Sequence, residues 1–273
     1  MSVSFVQISQ EELTSNTYQK KLAQGARQGF FYIEYPKEWE PLIKKTVEFA
    51  NTFYKDDYVK TRKLDGVSGY HDRKEVQVES YFLEKRHWDQ ELNSDDCKKL
   101  AVQMHAMVVD ILRKTLAVCG IKEDQWTKGT GGVSDGQGKI HLSFHHYRSE
   151  KQAEGLKAHR DFGQIGMLFI NKLGLQVRVE DKWVDVKPLA GHFIVNFGQC
   201  LKTFVNSEDL EAIVHKVIQV EDRISFGIFT DNKGDSAIFK RDQESKDLIL
   251  VEESYDTYFY KCFQQAYNED EKM

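Results

Sequence analysis

The 273-residue sequence predicts a mainly β fold: an antiparallel sandwich or barrel behind a mixed, mostly helical N-terminal part. Three observations carry this. Between residues 139 and 229, short β-branched and aromatic runs follow one another across turn-length gaps, with no helix-length apolar period between them. Earlier in the chain the apolar residues recur at helical spacing instead. A composition 40% hydrophobic and 12% aromatic supports a packed interior rather than disorder.

Taken in order, residues 29–35 are aromatic-rich and read as a strand. Leu42, Val47, Phe49, Ala50, Phe53 and Tyr54 approximate helical spacing after Pro41, which suits a first helical turn. Leu100, Met104, Met107, Val108, Ile111 and Leu112 mark a clearer amphipathic helix, with Ser94 or Asp95 as its cap and Gly120 at its end. Residues 129–138 are glycine-rich but match neither phosphate-loop spacing nor the dinucleotide-binding pattern, so they read as a flexible connection. The strands then fall at 139–147, 165–170, 175–179, 182–186, 192–198, 212–218 and 223–229. A helix from Tyr255 to Tyr267 closes the chain, with a frayed tail after it. This divides a single unit, 1–273, into an N-terminal part (1–125), a sheet core (138–235) and a C-terminal segment (236–273).

The net charge of -5 argues against nucleic acid or an anionic membrane as partner. No apolar run of about 18 residues appears, and residues 1–13 lack the basic flank and apolar stretch of a secretory signal. Cys97, Cys119, Cys200 and Cys262 are scattered, which suggests reduced thiols and a cytoplasmic protein.

The chemistry begins at His159-Arg160-Asp161. In an extended segment the period of two puts the imidazole and the carboxylate on one face and turns Arg160 away. Two imidazoles and one carboxylate on one face of an octahedron leave three positions open, the arrangement of non-haem iron(II) oxygenases. A later strand would bring the third ligand, and His215 is the candidate. The spacing is weak by itself: nine histidines and 43 acidic residues give roughly one or two such matches by chance, and His87-Trp88-Asp89 is a rival in a charged stretch.

Context favours His159. The segment His159-Arg160-Asp161-Phe162-Gly163 is followed by Gly174-Leu175-Gln176-Val177, Trp183, Val186-Lys187-Pro188, Val195-Asn196-Phe197-Gly198, His215-Lys216-Val217 and Arg223-Ile224-Ser225. In order and spacing this series resembles the isopenicillin N synthase-like family of iron(II)/2-oxoglutarate dioxygenases. Gly29-Phe30-Phe31-Tyr32 and Gly69-Tyr70 extend the likeness over most of the chain. The resemblance implies a double-stranded β-helix (jelly-roll) core, with His159, Asp161 and His215 on the metal. It also implies that Arg223, Ser225 and Tyr147 bind 2-oxoglutarate. A guanidinium fork pairs bidentately with a carboxylate, and a hydroxyl one period away on the strand completes the cradle. His145 stands where the family has Asn, on the polar face that His141, Ser143 and Tyr147 share.

The resemblance thus implies oxidation of a small-molecule C–H bond by iron(II), 2-oxoglutarate and dioxygen, through hydroxylation, desaturation or ring closure, with release of succinate and carbon dioxide. A same-fold iron oxidase that dispenses with 2-oxoglutarate and a non-catalytic jelly-roll binding protein are the alternatives. The protein is expected to act as a monomer. Tyr70, Arg73, Arg178 and Lys202 are the residues expected to meet the substrate, Arg178 as an anion clamp or as a solvent-facing residue of an edge hairpin.

Overall fold

Residues 4–15 and 17–270 are described by a computed structural model. Fourteen strands organise the described residues. The first four are β1 (Gln7–Ile8), β2 (Phe30–Glu34), β3 (Gly69–Asp72) and β4 (Val78–Glu84). Next come β5 (Lys139–Tyr147), β6 (Leu156–His159), β7 (Ile165–Phe169), β8 (Leu175–Val179) and β9 (Lys182–Asp185). The last are β10 (His192–Phe197), β11 (His215–Val217), β12 (Arg223–Asp231), β13 (Ile238–Arg241) and β14 (Leu248–Glu252). An eight-stranded sheet in the order β1-β2-β10-β7-β12-β5-β4-β3 faces a four-stranded sheet in the order β6-β11-β8-β9. The jelly-roll sandwich expected from the sequence is therefore present, and every pairing except β1 with β2 is antiparallel.

The large sheet has two differently used faces. Odd positions of β5 (Lys139 to Tyr147) look toward the small sheet. Even positions, including Ile140, Leu142 and Phe144, are buried against the helices behind. The long helix Asp95–Val118 lies on that rear face beside β7 and β12. Its stripe of Leu100, Met104, Val108, Ile111 and Leu112 is almost fully buried. Ser94 caps it by accepting the Cys97 N–H, and Asp95 and Asp96 sit at the positive end of its dipole. A smaller apolar layer fills the space between the sheets, from Phe30, Tyr32, Val78, Leu175, Val177, Ile194 and Val217.

Several boundaries differ from the sequence reading. The 212–218 run is extended only over His215–Val217, because residues 212–214 approach as irregular chain. β3, β4, β6 and the β13–β14 hairpin are additions to it. They are short, or carry charged residues that mask the alternation. The rival His87-Trp88-Asp89 is not simple solvated surface: it straddles two short helical turns, with Trp88 buried and His87 Nε2 2.6 Å from Asp65. The closing helix runs Tyr255–Asp270, past the expected end, and the last three residues lie outside the described ones.

Candidate functional site

The two sheets bring His159, Asp161 and His215 together. His159 ends β6, His215 opens β11, and the two are direct cross-strand partners, with ring centroids 4.3 Å apart. Asp161 follows two residues beyond the strand end, rather than on a strand that continues through it. Both imidazole Nε2 atoms lie 3.6 Å from Asp161 Oδ1, and the three potential ligand atoms all fall within 4.8 Å of one another. Arg160 turns away and donates to the Ala212 carbonyl, in keeping with the alternation.

The surroundings fix which atoms face inward. His159 Nδ1 contacts the Lys157 carbonyl at 2.8 Å and His215 Nδ1 the Ile213 carbonyl at 3.2 Å. A carbonyl can only accept, so each Nδ1 carries a proton and each Nε2 is the ring nitrogen turned to the centre. Asn196 Nδ2 donates to Asp161 Oδ2 at 2.6 Å, which leaves Oδ1 for the centre. Burial pushes the His215 imidazole down to about 4, reinforced by His159 and opposed by Asp161, so it is neutral at pH 7. Burial also works against the Asp161 carboxylate, but His215, His159 and Asn196 hold it far below the usual carboxylate range. Two imidazoles and one carboxylate form a donor set that fits a hard-to-borderline divalent ion with positions to spare.

Beyond Asp161 the chain is pinned. Gln199 N–H donates to the Asp161 carbonyl, and Cys200 N–H to the carbonyls of Phe162 and Gly163. At Gly163 a Cβ would come within 2.3 Å of both Asp231 Oδ1 and the Thr230 carbonyl, so only glycine fits that crossing.

Arg223, Ser225 and Tyr147 lie on the inner face of β12 and β5, with Arg223 directly opposite Tyr147 and Ser225 opposite His145. All three are at most 4% exposed. The Arg223 guanidinium sits 4.4 Å over the Tyr147 ring, and its Nη1 donates to the Lys172 and Leu173 carbonyls. Its Nε has no partner, and no carboxylate pairs with it among the described residues. A buried cation without a counter-ion is costly, and a dicarboxylate cosubstrate would resolve it. His145 is held by Ser80 Oγ at 2.9 Å. Burial, with the Arg73 and Arg223 charges, pushes it down to about 3, so it is a neutral group.

The four residues expected at the substrate fare differently. Arg73, at the tip of the β3–β4 hairpin, acts electrostatically on His145 and stays near the site. Tyr70 projects from the rear face, where its hydroxyl donates to Glu79, because the pleat turns it away from His71. Arg178 is on the outer face of the small sheet beside inward Val177, ion-paired with Asp181, so it faces solvent rather than acting as a clamp. Lys202 ties down its own neighbourhood, through the Ser207 and Leu210 carbonyls and Glu211. Sequence reasoning gave no role to Ser80, Phe82, Asn196 or Phe229. The period-two pattern Val78, Ser80, Phe82 could have placed the first two on the inner face.

Comparison with known proteins agrees with this geometry. Residues 140–232 match the family model of the 2OG-Fe(II) oxygenase superfamily. The chain is 31% identical over 151 residues to Jasmonate-induced oxygenase 2 of Arabidopsis thaliana, a match that covers 53% of this chain but only 39% of that protein. It is 25% identical to Protein DMR6-LIKE OXYGENASE 2 of the same plant, covering 88% of this chain and 76% of that one. Among solved structures, the dioxygenase for auxin oxidation of rice superposes with a TM-score of 0.77 at 21% identity, covering 96% of each chain. JOX2 in complex with 2OG, Fe and JA superposes with a TM-score of 0.78 at 22% identity, covering 96% of this chain and 86% of that one. The order of the site residues along the chain, their convergence between two sheets and the matched segment 140–232 agree: over residues 140–232 the chain is similar to the 2OG-Fe(II) oxygenase superfamily, and its fold is that of the solved structures.

Proposed function

We propose that the protein is an iron(II)- and 2-oxoglutarate-dependent oxygenase that oxidises a C–H bond of a small molecule. His159, Asp161 and His215 would hold the metal, and Arg223, Ser225 and Tyr147 would hold the keto-acid's distal carboxylate. The observation that carries this reading is Arg223, a buried guanidinium with a free Nε and no carboxylate partner among the described residues, on the sheet facing the triad. Bound iron would supply the redox chemistry that couples dioxygen to keto-acid decarboxylation and substrate oxidation.

The chain's own residues supply orientation and exclusion. Asn196 keeps Asp161 monodentate toward the centre by occupying its second oxygen. The Lys157 and Ile213 carbonyls hold both imidazoles in the tautomer that presents Nε2. Tyr147 lies face-on to the Arg223 guanidinium, which fixes the fork before any ligand arrives.

Anaerobic titration of the iron-loaded protein with 2-oxoglutarate tests the reading. The keto-acid should produce a charge-transfer absorbance in the wild type, and turnover should release succinate in proportion to oxidised substrate. Turnover without succinate would favour the oxidase alternative instead. We also propose a monomeric cytoplasmic protein without a nucleic-acid partner, supported by four free cysteines, all buried, and the net charge of -5. Among the described residues no helix is long and apolar enough to cross a membrane. Light scattering at the 31.8 kDa chain mass would check the monomer.

A further inference from the structure

The hairpin between β3 and β4 carries a cation whose backbone is fixed and whose charge is unclaimed. Asp72 ends β3 on the rear face, where Arg148 and Lys151 hold it. The next residue of an extended chain turns to the opposite face, so Arg73 joins His71 on the inner one. Its carbonyl accepts the Val76 N–H, which closes the turn, and the Lys151 ammonium. Its guanidinium has no ion pair among the described residues, although Asp72 and Glu75 are close in sequence. An exposed arginine is ordinarily solvated. This one reaches inward instead: of the charges acting on His145, two strands into the sheet, Arg73 is the largest, ahead of Arg223.

From that hairpin a row of flat rings runs toward the triad. His71 meets Phe82 edge-on at 5.4 Å, Phe82 meets His145 at 5.7 Å, and His145 meets Phe229 at 6.3 Å. The Phe229 ring lies against Gly166, whose ladder partner Asn196 is bonded to Asp161. All four rings are partly exposed, and the His159, Asp161 and His215 side chains are 28%, 20% and 15% exposed. Solvent therefore reaches the row from end to end, and a ligand laid along it displaces water rather than side chains. The row carries no carboxylate before Asp161, and Lys63 adds a second positive charge beside His71. An anionic group is favoured at the hairpin end, and a flat apolar body along the rings.

We propose that Arg73 is the specificity residue of the site: it pairs with the carboxylate of a substrate whose flat apolar body lies along Phe82 and Phe229. That this acid is the molecule oxidised rests on the oxygenase reading; the preference for an acid does not. Equilibrium dialysis against the full chain, metal-free and then loaded anaerobically with iron and 2-oxoglutarate, separates the two. The probes are phenylacetate and its neutral amide, phenylacetamide.

Both forms of the wild type should bind phenylacetate more tightly than phenylacetamide. Arg73→Gln should weaken phenylacetate about tenfold, the worth of one hydrogen bond between charged groups, and leave phenylacetamide as it was. Arg73→Lys should restore only part of the loss, because it offers a point charge rather than a planar fork. Lys74→Gln, one residue along the same turn, should change neither probe, and all three variants should melt with the wild type because both side chains are exposed. The keto-acid titration of Arg73→Gln should match the wild type, since Arg223 holds that carboxylate. A preference for the amide, no phenylacetate binding at millimolar concentration, or unchanged phenylacetate affinity in Arg73→Gln overturns the proposal. So does an equal loss in Lys74→Gln, or a matching loss of 2-oxoglutarate affinity in Arg73→Gln. If the keto-acid gives no charge-transfer absorbance while the metal-free protein still selects phenylacetate through Arg73, the oxygenase reading falls and this one stands.

Discussion

At the scale of single residues, Arg223 is the group on which the proposed keto-acid site rests. Truncating one member of a buried charged pair typically costs about 2–5 kcal/mol, so Arg223→Ala should weaken 2-oxoglutarate binding roughly thirtyfold or more. Iron stoichiometry by metal analysis should not change. Arg223→Met makes the complementary point: it removes an uncompensated buried charge, so the ligand-free protein should melt no lower than wild type. A large loss of stability would show that the guanidinium is structural instead. His215→Ala and Asp161→Ala should each abolish stoichiometric iron binding, while His87→Ala, whose imidazole is engaged with Asp65, should retain it. Equal iron content in all three would remove the metal assignment.

At the scale of elements, a site is only as fixed as the pieces that carry it, and these pieces separate cleanly. Ser94→Ala removes the cap of the helix behind the sheet and should cost about 1 kcal/mol in urea unfolding, with iron affinity unchanged. Gly163→Ala forces a Cβ against Asp231 and the Thr230 carbonyl, so it should cost about 1–3 kcal/mol and weaken iron as well, because Asp161 is two residues away. Parallel unfolding and metal titrations distinguish the two outcomes. The same separation explains what can be read from the sequence. β5, β7, β8, β10 and β12 alternate strongly enough to be seen, and the order of motifs along the chain, on and between them, points to His159, Asp161, His215, Arg223 and Ser225. β3 and β4 escape because His71, Asp72, Glu79 and Glu84 break the apolar pattern, and with them go Ser80 and Phe82. Tyr70 is misplaced for a related reason. Without the register of β3 on β4, nothing in the chain says which side of the sheet it occupies.

At the scale of the whole molecule, several ionisable groups are held in states that folding imposes. Burial lowers His105 and His215 to about 4 and His145 to about 3. The unfolded chain takes up protons near the ordinary value of 6.5, while the folded one resists until much lower pH. Stability of the metal-free protein should therefore be full above about pH 6.5 and fall as the pH drops from there toward 4. Asp72, held to about 2 mainly by Arg148, adds a separate loss that begins below its ordinary 3.8. Urea unfolding at pH 7.5 and 5.0 should show lower stability at pH 5.0, and His105→Gln should recover part of the difference; a flat profile would contradict the buried neutral histidines. The nine-residue pairing of β12 with β5 joins these scales. One stretch of ladder carries Arg223 opposite Tyr147 and Ser225 opposite His145 near one end, and Gly227 opposite Ser143 further along. Its opposite-facing residues, Phe144, Leu142, Phe226 and Ile228, lock into the core. A one-residue slip of β12 on β5 would turn Arg223 and Ser225 into the apolar core and bring Phe226 and Ile228 to the inner face, so the register that packs the core is also the one that places the site.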